Sequence, residues 1–119
     1  MSDEIATGTR VFAAAPVHGR WRRLDAPDDV LALMDDDCAE GVVACVADAG
    51  ATFLAPIFDD LTAVVCLSGT PLSHIGIVSR EYQVPCVMAA GLVADDWPGD
   101  GTEVTVDCST EPARVARTQ

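Results

Sequence analysis

Two short runs of almost continuously apolar residues constrain the fold of this chain more than any other feature. Residues 42–47 are VVACVA and residues 62–67 are TAVVCL. Runs of this length, without the polar alternation of a half-exposed strand, are typical of strands buried on both faces. Such strands occur in parallel sheets that are covered by helices, so the middle of the chain predicts an α/β fold.

The segments around these runs predict further helices and strands. Helices are expected after the acidic, Pro-containing start at 25–29, and over 51–61 and 73–82. Shorter β segments are expected at 10–15, 20–24, 86–88, 103–107 and from 114 onward. Strands therefore alternate with helices in the middle, while both ends are β. This order predicts a β/β/α layering, with a mostly parallel centre and extra strands on another side.

The length of the chain predicts one domain. With 119 residues, of which 50% are hydrophobic, the chain can bury its own core. We expect a flexible tail over 1–8 and a single compact domain over 9–119. No apolar run approaches the roughly 20 residues that span a bilayer, and the acidic N-terminus lacks the basic start of a signal peptide. These features predict a cytoplasmic protein without a membrane segment.

The charge of the chain excludes some partners. Nineteen acidic residues outnumber seven basic ones, giving a net charge of -12, and every basic residue is Arg. A chain this acidic repels phosphate backbones and anionic lipids, so neither nucleic acid nor membrane is an expected partner. The same composition is common in salt-adapted or GC-rich organisms. Two interpretations of the acidic surface therefore stay open, a docking face and a general adaptation.

The cysteines indicate core residues and not a metal or redox site. They lie at positions 38, 45, 66, 86 and 108, without any C-x-x-C pair. Free Cys is among the most buried residue types, so we expect reduced, structural thiols. With two His and no close Cys pair, no metal site is expected. The Asp run at 35–37 is interpreted as a solvated helix end.

His74 is the best candidate for chemistry. The buried run 62–67 leads into a turn at 68–72, and Ser73 and His74 then open the predicted helix. A loop between a strand and a helix N-terminus is a common ligand position in α/β folds. The helix dipole disfavours a protonated imidazole there and stabilises an attached anion, which are the needs of a phosphohistidine. A lone His at a helix start is more often a cap or a surface residue, so both interpretations stay open on position alone.

A longer motif around His74 resembles that of a known family. Residues 69–87, GTPLSHIGIVSREYQVPCV, resemble the phosphohistidine motif of the mobile, or swivelling, domain of PEP-utilising enzymes. In that family a Gly-rich turn leads into Ser-His or Thr-His, then a small residue, Ala-Arg-Glu and an Ile-Pro-Ala-Val-like strand. The Asp-Gly and Val-x-Val-Asp of 100–107 and the Gly-containing segment 16–24 agree as well, so the similarity covers roughly 10–107.

The resemblance implies a fold and a role for each motif residue. The implied fold is a swivelling β/β/α domain in which His74 accepts a phosphoryl group at one active site and releases it at another. Gly69, Thr70 and Ser73 would surround that group. The supporting motif residues are Gly76, Arg80 and Glu81. Gly76 suits close packing, and Arg80 lies about 240° round the helix from His74, which favours a salt bridge or partner contact over a phosphate contact.

The implied partners lie outside the chain. The sequence contains neither G-x-x-x-x-G-K-[ST] nor G-x-G-x-x-G, so no cofactor is expected on this chain. The resemblance implies Mg²⁺ and ATP or PEP on partner subunits, of an ATP-grasp type, a PEP- or pyruvate-binding type, or both. The chain would be the separate phosphoryl-carrying component of a dikinase-type phosphotransferase, inactive alone.

Three positions depart from the family pattern, and a second function stays open. Thr70 replaces the second Gly of the usual turn, Leu72 replaces a frequent Thr, and Cys108 replaces a Gly after the closing strand. None of these removes the nucleophile. The alternative is a non-catalytic docking or regulatory module with the same fold. A thiol-based redox protein is disfavoured because no Cys are paired, and His18 is interpreted as a structural turn residue.

Overall fold

A computed structural model describes residues 3–35 and 39–118 of the chain. Seven strands, two α-helices and one 3₁₀ helix form within this part. They follow in the order β1 (Glu4–Arg10), β2 (Val17–Arg23), α1 (Pro27–Asp35), β3 (Val42–Val46), the 3₁₀ helix (Ala55–Asp60), β4 (Ala63–Cys66), α2 (His74–Tyr82), β5 (Cys86–Leu92), β6 (Glu103–Asp107) and β7 (Ala113–Arg117).

The described strands close into a barrel in the order β1-β5-β4-β3-β2-β6-β7. The pairings β2–β3, β3–β4 and β4–β5 are parallel. The pairings β5–β1, β1–β7, β7–β6 and β6–β2 are antiparallel. The predicted α/β class, with a parallel centre and extra strands on another side, is therefore confirmed. The sheet closes because β1 pairs on both of its edges, and the specific swivelling β/β/α fold stays a prediction.

The two apolar runs are buried on both faces because each lies between two hydrophobic clusters. Alternate residues, such as Val43 and Val65, point into the barrel together with residues from every other strand. Their neighbours, such as Ala44 and Val64, pack outward against α1, the 3₁₀ helix and α2. A strand with an apolar cluster on each side needs no polar face, which explains the continuous runs.

The N-terminal segment differs from its prediction. Residues 4–8 were expected in a flexible tail, but they belong to β1, and Ile5 is 1% exposed. The predicted strand 10–15 is wrong beyond Arg10, because β1 ends there. Only Ile5 and Ala6 of β1 are fully buried, so this strand lacks the long apolar run that marks β3 and β4. Residues 1 and 2 of the expected tail lie outside the described residues.

The short helix predicted after the start signal at 25–29 is confirmed as α1, which already begins at Pro27, and the helix predicted over 73–82 is confirmed as α2. The helix predicted over 51–61 forms only as the 3₁₀ helix Ala55–Asp60. Pro56 stands at its first turn, and Leu61 already has extended backbone angles, with φ -69° and ψ 143°. Proline is tolerated in a first turn, but in the middle of the predicted helix over 51–61 it has no N–H to donate to the carbonyl of Thr52, so a regular helix does not form over that span. Ile57 and Phe58 are nevertheless buried, as their spacing predicts. Of the Asp run, Asp35 ends α1, and residues 36–38 lie outside the described part.

The four described cysteines are core residues, as predicted. Cys45, Cys66, Cys86 and Cys108 are free thiols and buried. Burial raises the pKa of Cys45 and of Cys86 to about 12, and that of Cys108 to about 11. Thiols held in the neutral form are poor nucleophiles. Cys38 lies outside the described residues, so its prediction stays untested.

Across residues 3–35 and 39–118, none of the helices is long and apolar enough to cross a membrane.

Candidate functional site

The loop between β4 and α2 holds the exposed His74. β4 lies between two parallel neighbours, so this loop leaves the carboxyl-terminal edge of the parallel strands. His74 is the first residue of α2, and its side chain is exposed. The predicted position, at an exposed helix N-terminus after a buried strand, is therefore confirmed.

Gly69 allows the loop to turn at this point. Its φ is +83°, a conformation that favours glycine. A Cβ atom here would overlap the Cβ of Ala49 and would lie 2.7 Å from Oγ of Ser73. Both the backbone angle and the lack of space therefore require glycine.

Two hydroxyl groups brace the loop from within. The N–H of Thr70 donates to Oγ of Ser73 at 2.9 Å, and the N–H of Ser73 donates to the carbonyl of Thr70 at 2.9 Å. The hydroxyl of Thr70 accepts from the N–H of Leu72 at 3.1 Å. These bonds use the hydroxyl oxygens as acceptors, so each O–H still has a hydrogen to donate.

Ser73 occupies the predicted N-cap position without making the capping bond. Its φ of -69° and ψ of 165° are those of an N-cap residue, but its side chain makes no bond to the helix amides. Its oxygen accepts from Thr70 instead. The hydroxyl therefore stabilises the loop and not the first turn of α2.

The loop rests on the segment that follows β3. The hydroxyl of Ser68 donates to the carbonyl of Ala47 at 2.7 Å and accepts from the N–H of Ala49 at 3.2 Å. The carbonyl of Ala49 accepts from the N–H of Ile75 at 3.0 Å. Two strand-end segments and the start of α2 are thus bonded into one unit, which holds His74 in a fixed position.

The neighbouring strand β5 supports the same loop. Ala89 has a φ of +52°, an unusual value for a residue with a side chain. Its N–H donates to the carbonyl of Ser68 at 3.3 Å. The side chain of Met88 lies beneath Gly69, since Cε would be 3.3 Å from an added Cβ. The positive-φ position of β5 is therefore bonded to the loop of the candidate site.

Residues 38–111, more than half of the chain, match the family model described as PEP-utilising enzyme, mobile domain. The chain belongs to this family. A search of curated proteins finds no match. The matched segment includes β3, β4, the loop and α2. Membership implies a phosphohistidine-carrying domain that works together with other domains of PEP-utilising enzymes.

The other motif residues of this mobile domain lie around the site in different ways. A Cβ on Gly76 would overlap the carbonyl oxygen of Pro71, so the predicted close packing of this glycine is confirmed. Nη2 of Arg80 donates to the carbonyl of Val11 at 2.7 Å, which ties α2 to the segment after β1. Arg80 therefore binds a backbone carbonyl through one of its N–H groups, and the expected partner contact stays a prediction. Glu81 is exposed on α2.

An apolar groove beside His74 was missed by the sequence analysis. It has a volume of about 180 Å³ and lies between α2 and residues 51–58. Its lining includes Leu54, Phe58, Ile75, Val78 and His74 itself. The rings of Phe58 and Tyr82 lie 5.9 Å apart at its edge. The apolar spacing of 51–61 indicated core residues correctly, but it does not reveal that their outer edge meets α2 in an open groove.

The second histidine of the mobile domain has a structural position. His18 was expected in a turn, but it lies in β2, opposite Thr105 of β6. Its Nδ1 and Oγ1 of Thr105 lie 2.8 Å apart. One ring nitrogen of His18 is therefore bound within the sheet, which agrees with its structural interpretation.

Proposed function

We propose that this mobile domain carries a phosphoryl group on His74. It would relay that group between active sites on partner subunits of a dikinase-type phosphotransferase. The observation that carries the proposal is the exposed imidazole at the first residue of α2, on a loop that Gly69 and Ser73 hold in one conformation. The family match, which includes this loop, supports the same chemistry.

The relay consists of two phosphoryl transfers. In the first, the unprotonated imidazole nitrogen of His74 forms an N–P bond while the P–O bond of the donor breaks. In the second, an acceptor oxygen attacks the same phosphorus, the N–P bond breaks, and His74 returns to its first state. The oxygen atoms of the transferred group stay on phosphorus throughout, so the domain needs no further reactant of its own.

The helix N-terminus and the loop would stabilise the transferred group. The start of a helix carries about half a positive charge, which favours a bound anion. The hydroxyl hydrogens of Thr70 and Ser73 remain able to donate towards it, because both oxygens act as acceptors within the loop. Gly69 keeps side-chain atoms away from the turn beside Ser73.

The partner would supply the cations for both transfers. Arg80 is the sole basic residue between Leu24 and Ala113 in the sequence, and its guanidinium binds the carbonyl of Val11. Within 3–35 and 39–118, no three His, Cys, Asp or Glu side chains group together as metal ligands. Phosphoryl transfer depends on charge neutralisation by metal ions and by Arg or Lys. We therefore assign Mg²⁺, and ATP or PEP, to an ATP-grasp-type subunit, a PEP- or pyruvate-binding subunit, or both.

Labelling of the full chain tests this proposal. Purified protein is incubated with Mg²⁺, a desalted extract of the source cells and either ³²P-labelled PEP or ³²P-labelled ATP. We expect an acid-labile, base-stable label on the wild-type chain, because a phosphoramidate has this stability. The label should be absent from His74→Ala and unchanged in His18→Ala, which is the matched control.

Other labelling results would contradict the proposal. A label that persists in His74→Ala, or that survives acid, would place the phosphoryl group on another residue. No label with either donor, from an extract that phosphorylates other proteins, would favour the alternative of a docking or regulatory module.

A further inference from the structure

The groove beside His74 is part of a larger apolar surface. A second groove, of about 500 Å³, lies between α1 and residues 52–56. Thr52 and Ala55 line both grooves, so the two are adjacent and share a wall. We call the combined surface of α1, residues 51–60 and α2 the helical face. It exposes large apolar side chains, including Leu31 at 57% and Tyr82 at 52%.

The helical face is acidic and has almost no basic residues. Its exposed carboxylates include Asp28 on α1, Asp59 and Asp60 on the 3₁₀ helix, and Glu81 on α2. Its one basic residue, Arg80, donates to a backbone carbonyl. The face therefore combines apolar grooves with exposed carboxylates, of which Glu81 lines the groove beside His74, and this charge complements a basic partner.

We propose that the helical face docks the subunit that exchanges the phosphoryl group. The partner would insert one aromatic side chain into the groove beside His74, with Lys or Arg residues around it. This inference rests on the proposed function, because docking at this groove brings His74 into the partner's active site. The loop itself also exposes an apolar side chain, since Leu72, two residues before His74, is 81% exposed.

The size of the groove and the charge of the face favour this occupant. A cavity of about 150 Å³ holds a benzene molecule, so the groove of about 180 Å³ suits one aromatic ring. Aromatic and Arg side chains are the residues that contribute most to binding at protein interfaces. A second copy of this chain is disfavoured, because each copy carries a net charge of -12.

Two short peptides test the docking surface without a purified partner. The probe is acetyl-Lys-Trp-Lys-amide, and its matched control is acetyl-Glu-Trp-Glu-amide. Each is titrated into the ¹⁵N-labelled full chain and followed by NMR. We expect the Lys peptide to shift the amide signals of residues 51–58 and 74–82, and to bind about tenfold more tightly than the Glu peptide. Its binding should weaken when ionic strength rises from about 0.05 to about 0.5 M.

A pair of variants locates the binding site. Ala55→Phe places a ring over the shared wall of the two grooves, so it should weaken the Lys peptide about tenfold. Ala13→Phe makes the same change at an exposed alanine between β1 and β2, outside the helical face, and should bind the peptide normally. Equal binding of the two peptides, equal binding by the two variants, or shifts confined to β6 and β7 would overturn the proposal. Self-association through residues 51–58 would assign the face to a second copy and overturn it too.

The peptide experiment tests the docking surface and the labelling experiment tests the carrier function, so a negative result in one does not decide the other. The peptide needs no phosphoryl group, so its binding is measured on the unmodified chain, without Mg²⁺, donor or extract. A label on His74 without peptide binding would overturn the docking surface alone. Peptide binding without a label would support the surface and overturn the carrier function.

Discussion

The two sides of the barrel differ in what covers their strands. On the helical side, α1, the 3₁₀ helix and α2 pack against the outward residues of β3, β4 and β5. On the antiparallel side, the buried residues of β6 and β7 point into the barrel, and neither strand contributes to the cluster under the helices. The helical side carries His74 and the groove. The site therefore lies beside the strands whose two faces are both buried against apolar residues.

The charges are distributed unevenly between these sides. Six of the seven Arg residues lie in β1, β2 and β7. Three of them approach carboxylates, in the pairs Arg22–Asp100, Arg23–Asp25 and Arg114–Glu4. Such surface pairs contribute little to stability, about 0–1 kcal/mol each. They do, however, neutralise charge within the domain, whereas the carboxylates of the helical face have no comparable set of cations. This difference agrees with the proposed docking of a basic partner on the helical face.

The largest expected effect on stability is that of a substitution in the barrel interior, compared with a substitution on the helical face. Trp21→Ala removes a side chain that is 2% exposed and stacks on Trp97 at 5.6 Å. It should lower the free energy of unfolding by about 3–5 kcal/mol. Ile77→Ala, at a residue 51% exposed on α2, should change it by less than about 0.5 kcal/mol. Urea unfolding measures the free energy of unfolding of both variants. Comparable losses would contradict the conclusion that the barrel interior contributes more to stability than the exposed side chains of the helical face.

Glycine substitutions compare the loop of the site with a turn on the other side. Gly69 and Gly101 both have positive φ, at +83° and +93°, but only Gly69 lacks space for a Cβ. Gly69→Ala should therefore lower the free energy of unfolding by about 2–4 kcal/mol. Gly101→Ala should lower it by only about 1–2 kcal/mol. Thermal unfolding gives both values, and equal losses would mean that the contact with Ala49 does not restrict the loop.

A smaller effect is expected from the serine that braces the loop. Ser73→Ala removes the acceptor of the Thr70 N–H, which should cost about 0.5–1.5 kcal/mol in unfolding free energy and slow the labelling of His74. Ser109→Ala is the control, because Ser109 binds Asp107 at the end of β6, away from the loop of the site. Its labelling rate should equal that of the wild type. If both variants are labelled equally fast, the Ser73 hydroxyl does not position the site.

Local patterns in the sequence predicted the elements that depend on local contacts. The alternation of 103–107 gave β6 with its observed bounds, and the motif around His74 gave the start of α2. β1 was missed because its burial comes from pairing with β5 and β7, which are distant in sequence. The contact of Arg80 with Val11 spans 69 positions, and no local pattern contains it.

The groove was missed for a similar physical reason. Phe58 and Tyr82 belong to different elements and meet only when the chain folds. Helical spacing indicates which residues are buried, but it does not give the gap between two packed elements. The regular helix predicted over 51–61 also failed, because Pro56 lies in the middle of that span and has no N–H for the helical bond to Thr52.

Direct localisation of the phosphoryl group tests the central claim. The wild-type chain is phosphorylated with Mg²⁺, donor and extract, repurified at alkaline pH, and examined by phosphorus NMR and by peptide mass spectrometry. The account predicts one N–P signal that disappears in acid and maps to His74. A signal that maps to His18, or a phosphate ester on Ser73 or Thr70, would contradict it.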